Sequence, residues 1–183
     1  MRTTIAKALK GVALGGTLAA IATTGFAATD GSIGYNSTGT LNVTMTVTDE
    51  VRITNLEDVN FDLLVGVGGT VTSPACIYRN TAPGDYLITA VGDGPGGAFV
   101  MSGLLPGPPL PYSVGFAEVT GGTPGLPSNL FPNTPLPSTG AGTDDTCAAG
   151  DNGEIQVTLS AAAASTAPAD SYTGVLSLTI GPN

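Results

Sequence analysis

The sequence predicts an all-β protein, a sandwich built from short antiparallel strands. Apolar and polar residues alternate over several short runs, as in half-buried strands, because successive side chains of a strand point to opposite faces. Turn residues separate these runs, among them 27 glycines and 14 prolines. Short strands between frequent turns favour a sandwich, and no fixed-period repeat indicates a solenoid.

Residues 1–27 have the three parts of a secretory signal peptide. A short apolar stretch spans 12–22, and the small residues Gly25 and Ala27 stand at the −3 and −1 positions of the expected cleavage point. The cationic residues before the apolar stretch are Arg2, Lys7 and Lys10. The alternative is a retained membrane anchor, for which this stretch is weak, because the bilayer core is about 30 Å thick.

Removal of residues 1–27 leaves 156 residues, enough for one domain with a real core. The loss of three basic residues takes the formal net charge from −9 to −12, and Arg52 and Arg79 are the remaining cations. Binding of nucleic acid needs a basic surface, so the charge argues against a nucleic-acid partner. We interpret the acidity as a source of solubility and mutual repulsion.

The mature chain begins with a flexible leader and an alternating segment. We expect the leader over 28–38 and a long opening strand over 39–56, with a break near 49–50. No Asn-Gly or Asp-Gly turn directly follows the alternating residues to fold a partner strand back. The strand therefore pairs either within its own domain or with another molecule. Its apolar positions are Leu41, Val43, Met45 and Val47.

The middle of the chain contains a series of predicted strands. The first, over 59–67, carries Phe61, Leu63 and Val65 on one face. A glycine-rich turn over 92–97 separates two later ones. The remaining predicted strands of this region cover 70–78, 85–91, 98–101 and 110–116.

The last third combines a loop, two strands and one short helix. Residues 119–146 are rich in Gly, Pro, Ser and Thr and predict a long surface loop. Strands are expected over 154–159 and 172–180. Between them, 160–169 contains four successive alanines and predicts a connection with one short helix.

The two cysteines, Cys76 and Cys147, predict one structural disulfide, because the chain is directed to an oxidising compartment. Closure of so long a loop stabilises a fold by roughly 4 kcal/mol in the chain-entropy model. The alternative is metal binding. The sequence has no histidine, and two thiols alone do not complete a tetrahedral zinc site.

The residues offer little for catalysis. Without histidine or a free thiol, the Ser-His and Cys-His arrangements are excluded, and neither GxSxG nor a phosphate-binding loop is present. We therefore expect no enzyme, no catalytic residues, no cofactor and no metal. The acidic residues near Cys147 suggest calcium, but their spacing differs from that of the EF-hand loop; they are Asp144, Asp145, Asp151 and Glu154.

The two ends of the chain resemble those of bacterial fimbrial subunits. The stretch NVTMTVTDEVRI and the closing stretch APADSYTGVLSLTI, with its Tyr-x-Gly-x-Leu pattern, are similar to the ends of colonisation-factor pilins of the chaperone–usher pathway. The middle, with Cys76 followed by a tyrosine and with LPYSV further on, is similar to spore coat protein U-type pilin domains. The colonisation-factor subunits lack the cysteine pair.

This resemblance implies an incomplete immunoglobulin-like sandwich over 49–183 that is completed by donor-strand exchange. Residues 28–48 would be the leader and donor strand, with Leu41, Val43, Met45 and Val47 as donor side chains. The acceptor and chaperone-binding strand would include Tyr172, Leu176, Leu178 and Ile180. The implied partners are neighbouring subunits in a homo-polymer, a periplasmic chaperone and an outer-membrane usher, and the implied location is an extracellular fimbria.

Two other functions are also compatible with the sequence. One is a self-complete secreted β-sandwich that binds a surface polymer or a carbohydrate, because alternation is general among β-proteins. The other is a secreted hydrolase with two carboxylates, which requires a pocket with the carboxylates about 5–10 Å apart.

Overall fold

A computed structural model describes residues 29–62, 64–81 and 84–183. The predicted signal peptide and Leu63 lie outside the described residues. The chain divides into two units, residues 1–46 and residues 47–183. In the first unit, Thr29 and Thr40 exchange two backbone hydrogen bonds of 2.9 Å, which close a loop over the residues between them.

The described strands all lie in the second unit, with one short helix, α1 (Ala161–Thr166), between β10 and β11. In chain order the strands are β1 (Val51–Thr54), β2 (Gly69–Arg79), β3 (Tyr86–Gly92), β4 (Val100–Gly103), β5 (Leu110–Pro111), β6 (Ser113–Thr120), β7 (Thr123–Pro124), β8 (Ser128–Leu130), β9 (Leu136–Ser138), β10 (Gly153–Leu159), β11 (Tyr172–Thr173) and β12 (Leu176–Pro182). The predicted all-β fold is confirmed.

The largest sheet is antiparallel, with strand order β1-β2-β10-β6-β7, and β8 also pairs with β6. Its central strand β10 pairs along its full length with β2, from Gly153 opposite Ala75 to Leu159 opposite Gly69. On its other side β10 pairs with β6. The backbone N–H and C=O groups of β10 are thus hydrogen-bonded along both edges of the strand. Its apolar side chains stand at alternate positions and therefore share one face, which is the face that must be covered.

Two smaller antiparallel sheets complete the unit. The first has the order β12-β3-β9, and the second has the order β11-β4-β5. Strand β12 pairs with β3 from Leu176 opposite Gly92 to Pro182 opposite Tyr86. It forms an edge of its sheet and lies close to β1, which forms an edge of the largest sheet.

The main core lies between the largest sheet and the β12-β3-β9 sheet. Fully buried side chains reach it from both, including Ile77 of β2, Ile88 of β3 and Ile155 of β10. The rings of Tyr86 and Phe116 meet edge to face with centroids 6.3 Å apart, an arrangement that aromatic pairs prefer. Contacts of this kind join the two sheets.

A smaller apolar cluster lies beneath the predicted short helix, which is present as α1. Ala163 and Ala164 of the helix pack with Leu110 and Leu159. The side-chain oxygen of Ser160 accepts a hydrogen bond of 3.1 Å from the Ala163 backbone N–H. This N-cap satisfies one donor that the first turn would leave free.

The predicted disulfide between Cys76 and Cys147 is present, with the Cα atoms 6.0 Å apart. It joins β2 to the loop that precedes β10. Asn152 holds the same loop through two hydrogen bonds. Its side-chain oxygen accepts a bond of 2.8 Å from the Ile77 N–H, and its side-chain nitrogen donates a bond of 2.7 Å to the Ile77 carbonyl oxygen.

Two predicted strands differ from the structure. The opening strand is limited to β1, and residues 41–50 form no sheet pairs within the described chain. None of the described residues of the predicted strand over 59–67 lies in a strand, and a turn at 65–66 contains Gly66 with a φ of +79°. Val59 and Phe61 still pack against the core from a loop.

Two other expectations also need correction. The region 119–146 is not one open loop, because it contains β7, β8 and β9. The predicted strand over 172–180 is divided into β11 and β12 at Gly174. A Cβ on Gly174 would lie 2.7 Å from the Val100 carbonyl oxygen, so the glycine permits a close approach of β4 that breaks the strand.

Candidate partner-binding groove

The alternating segment over 41–47 presents its apolar side chains to solvent. Leu41 is 72% exposed, Val43 87%, Met45 85% and Val47 66%. Scattered exposed apolar residues are ordinary, but four at alternate positions of one segment form a stripe suited to burial against a partner. The sequence identified these four residues from their spacing.

The segment ends at a pinned stretch over 48–50. The Arg79 guanidinium donates to the Asp49 carboxylate from Nη2 over 2.7 Å and from Nε over 3.1 Å. These hydrogen bonds to Arg79 hold the pKa of Asp49 below its usual range, and the hydroxyl of Thr81 adds to the effect. Asp49 is therefore a carboxylate at neutral pH.

Strand β12 presents one apolar face to the core and a polar face to solvent. Leu176, Leu178 and Ile180 are half-buried and pack against the main core, while Ser177 and Thr179 are exposed. Within the described residues β12 pairs only with β3, so its other edge carries backbone groups without a strand partner. An edge of this kind is a template for an added strand.

An open groove begins beside β12. Its first part has a volume of about 470 Å³ and is lined by Leu176 and Leu178, by Val157 of β10 and by Tyr112. Burial raises the pKa of Tyr112, and the Asp93 carboxylate adds to the effect. The phenol of Tyr112 therefore stays neutral and keeps its hydrogen-bond donor.

The second part of the groove has a volume of about 700 Å³ and extends to α1 and β5. It is lined by apolar side chains that include Leu64, Leu110, Leu159 and Ala164. The two parts adjoin, because six residues line both of them: Val59, Asn60, Phe61, Met101, Tyr172 and Thr173. All lining residues belong to the unit formed by 47–183.

The structure brings together most of the predicted acceptor residues. Tyr172, Leu176 and Leu178 line the groove although Tyr172 belongs to β11, in a different sheet. Ile180 lies further along β12 and packs against the core instead. Sequence reasoning missed Met101 and the contribution of Val59 and Phe61. The apolar run over 59–67 is the sequence signal for Val59 and Phe61, and its alternation predicts a strand where the chain forms a loop.

The groove has acidic residues on its rim. Glu57 and Asp58 line its first part and Asp170 its second. The Asp170 carboxylate accepts hydrogen bonds of 2.8 Å from the backbone N–H groups of Leu105 and Ser171, which anchors the loop it belongs to. Among the described residues no group of three potential metal ligands is found.

The Asp144 side chain organises the loop around Cys147, where the acidic residues cluster. Its carboxylate accepts a hydrogen bond of 2.7 Å from the Thr146 hydroxyl. It also accepts hydrogen bonds from two backbone N–H groups, that of Thr146 at 3.0 Å and that of Ala148 at 2.9 Å. The Thr146 hydroxyl is the main cause of the lowered pKa of Asp144. These contacts give the carboxylate a structural role.

No known family model matches the chain, and no curated protein matches it either. Its fold is similar to that of a chain in a solved structure described as "Chaperone-tip adhesin complex is vital for synergistic activation of CFA/I fimbriae biogenesis". The TM-score is 0.53 at 15% identity, and the match covers 73% of this chain and 41% of that one. The likeness shows the fold, which is all-β and immunoglobulin-like. No described helix is long and apolar enough to cross a membrane.

Proposed function

We propose that the protein is a structural subunit of an extracellular fimbria that polymerises head to tail by donor-strand exchange. In this proposal residues 41–47 of one subunit enter the groove beside β12 of the next. The observation that supports it most is the exposed apolar stripe of 41–47, at 66–87% exposure, in a chain whose open groove has apolar side chains along β12 and an acidic rim. The fibre would support adhesion or biofilm formation.

The energetics favour such an exchange. Full burial of one aliphatic side chain contributes about 1.5–3 kcal/mol, so four donor side chains reach about 6–12 kcal/mol before ordering costs. Backbone pairing along the free edge of β12 would add directionality, and pockets for alternate side chains would select the register. A head-to-tail contact that does not close on itself produces a filament.

The proposal includes a periplasmic chaperone and an outer-membrane usher as partners. A groove lined by Leu176, Leu178 and Phe61 exposes apolar surface that a chaperone strand would cover during export. The fold neighbour, whose description names a chaperone and fimbriae biogenesis, supports this choice. We propose no catalytic role.

The test compares charged substitutions on the two faces of the segment in the chain without residues 1–27. Val43→Asp and Met45→Asp would bury a carboxylate in the groove, which costs several kcal/mol, so we expect at least a tenfold loss of fibres by electron microscopy. Thr44→Asp and Thr46→Asp place the same charge on the other face and should reduce fibres less than twofold. Equal assembly by both pairs of variants would refute the proposal.

A second measurement separates this proposal from a self-complete sandwich. In donor-strand exchange, the backbone amides of 41–47 exchange rapidly with solvent in the isolated monomer and slowly in the fibre. A self-complete sandwich would protect them in the monomer as well. Deletion of 39–48 should abolish fibres, and a deletion variant that still assembles would contradict donor-strand exchange.

A further inference from the structure

We propose that Arg79 and Asn80 are positioning residues that clamp the chain at 48–50 and make the joint between successive subunits stiff. The inference rests on the proposed function, in which 41–47 leave their own subunit to enter another. It goes beyond that function because it concerns the mechanics of the fibre and assigns them to two named side chains.

Asn80 holds the main chain on both sides of Asp49. Its side-chain Nδ2 donates to the Thr48 carbonyl over 2.7 Å, and its Oδ1 accepts from the Glu50 N–H over 2.8 Å. Its own N–H donates to the Glu50 carbonyl over 3.2 Å. An amide side chain offers both donors and an acceptor, so one residue extends the pairing of β1 with β2 back to Thr48.

Arg79 fixes the side chain in the middle of this stretch. Its guanidinium grips both oxygens of the Asp49 carboxylate, and its Nη1 donates to the Asp85 carbonyl oxygen. The Arg79 side chain is 8% exposed. The planar guanidinium holds the carboxylate with two hydrogen bonds, which fixes the orientation of the carboxylate as well as its distance. Because Arg79 is largely buried, water competes little for these bonds.

The hydrogen bonds of the clamp end at Thr48, directly next to the nearest donor residue, Val47. Thr48 accepts a hydrogen bond from Asn80, whereas Val47 next to it is 66% exposed. β1 begins at Val51, directly after the clamped residues. No run of free residues separates the donor side chains from the domain, whereas glycine- or serine-rich linkers behave as flexible coils. The clamp therefore holds the main chain up to Thr48, the residue next to the donor side chain of Val47.

The experiment measures the bending stiffness of fibres assembled from Asn80→Ala and Asp49→Asn chains. We expect each variant to form fibres within twofold of the wild-type amount, with a persistence length at least twofold shorter in electron micrographs. Asn129→Ala is the matched control, because Asn129 is exposed on β8 and its side chain makes no hydrogen bond within the described residues. Unchanged persistence length in both clamp variants would overturn the proposal.

A measurement on monomers keeps the two proposals distinguishable. Backbone order parameters of 48–50 should be about 0.85 in the wild type and fall below about 0.6 in Asn80→Ala. Values that stay rigid in Asn80→Ala would refute the clamp. A wild-type chain that forms no fibres would refute the proposed function and with it the joint, while the order parameters still decide whether Asn80 clamps the chain.

Discussion

The segment over 41–47 and strand β10 have the same binary pattern and opposite surroundings. In β10, Ile155, Val157 and Leu159 alternate with polar residues, and all three are buried. In 41–47 the alternation is as regular, yet every apolar side chain is at least 66% exposed. The difference shows that a period of two identifies the face to be covered and carries no information about what covers it.

The neighbours on each side account for the difference. β10 lies between β2 and β6, so its backbone is paired on both edges and its apolar face forms part of the core. The 41–47 segment has no described strand partner. Thr44 and Thr46 give it good β propensity and keep it soluble. A segment that becomes a strand only when it binds a partner needs both properties.

We expect a large loss of stability in the unit formed by 47–183 when the disulfide is removed. Cys76→Ala with Cys147→Ala opens a loop whose ends are 71 residues apart in sequence, which costs about 4 kcal/mol of unfolding free energy in the chain-entropy model. Urea denaturation of the monomer measures it. Amide exchange in 41–47 should stay as fast as in the wild type, and a loss below about 1 kcal/mol would contradict the assigned role.

A paired substitution sharpens the comparison between β10 and the segment. Ile155→Ala removes a buried side chain and should lower the unfolding free energy of the monomer by about 2–5 kcal/mol. Val43→Ala should change it by less than about 0.5 kcal/mol, because nothing covers Val43 in the monomer. Denaturation curves of both variants provide the measurement. A loss above about 1.5 kcal/mol for Val43→Ala would show that the segment is already seated in its own domain.

The sequence predicted the paired strands well and the unpaired regions poorly. Strands β2, β3 and β10 lie within a residue or two of their predicted bounds, because alternation and flanking turn residues act together there. The prediction of a strand over 59–67 was wrong, because an apolar run can pack against the core as a loop as readily as it can pair with another strand. Leu130 on β8 is buried, but it and its apolar neighbours Leu126 and Phe131 stand among prolines, glycines and polar residues without a regular alternation.

The groove could be predicted only in part. Leu176 and Leu178 were implied by the resemblance of the closing strand to that of fimbrial subunits, whereas Met101 and Phe61 reach the groove through long-range packing. The break at Gly174 depends on the approach of the Val100 carbonyl, a contact between residues far apart in sequence. The clamp depends on the pairing of β1 with β2, which brings Asp49 to Arg79 and Asn80.

The smallest effect that we expect is on the thermal stability contributed by the ion pair between Asp49 and Arg79 in this clamp. It depends on pH. Because the pKa of Asp49 is lowered in the folded chain, its ion pair contributes fully above the unfolded-state pKa of about 3.9 and is lost as pH falls through the lower folded pKa. The melting temperature of the wild type should therefore exceed that of Asp49→Asn above about pH 5, and the difference should shrink below about pH 4. Asp62→Asn is the control, since Asp62 is exposed and makes no hydrogen bond within the described residues. A difference between wild type and Asp49→Asn that is the same at pH 3 as at pH 7, within about a degree, would mean that the carboxylate charge contributes nothing to the clamp.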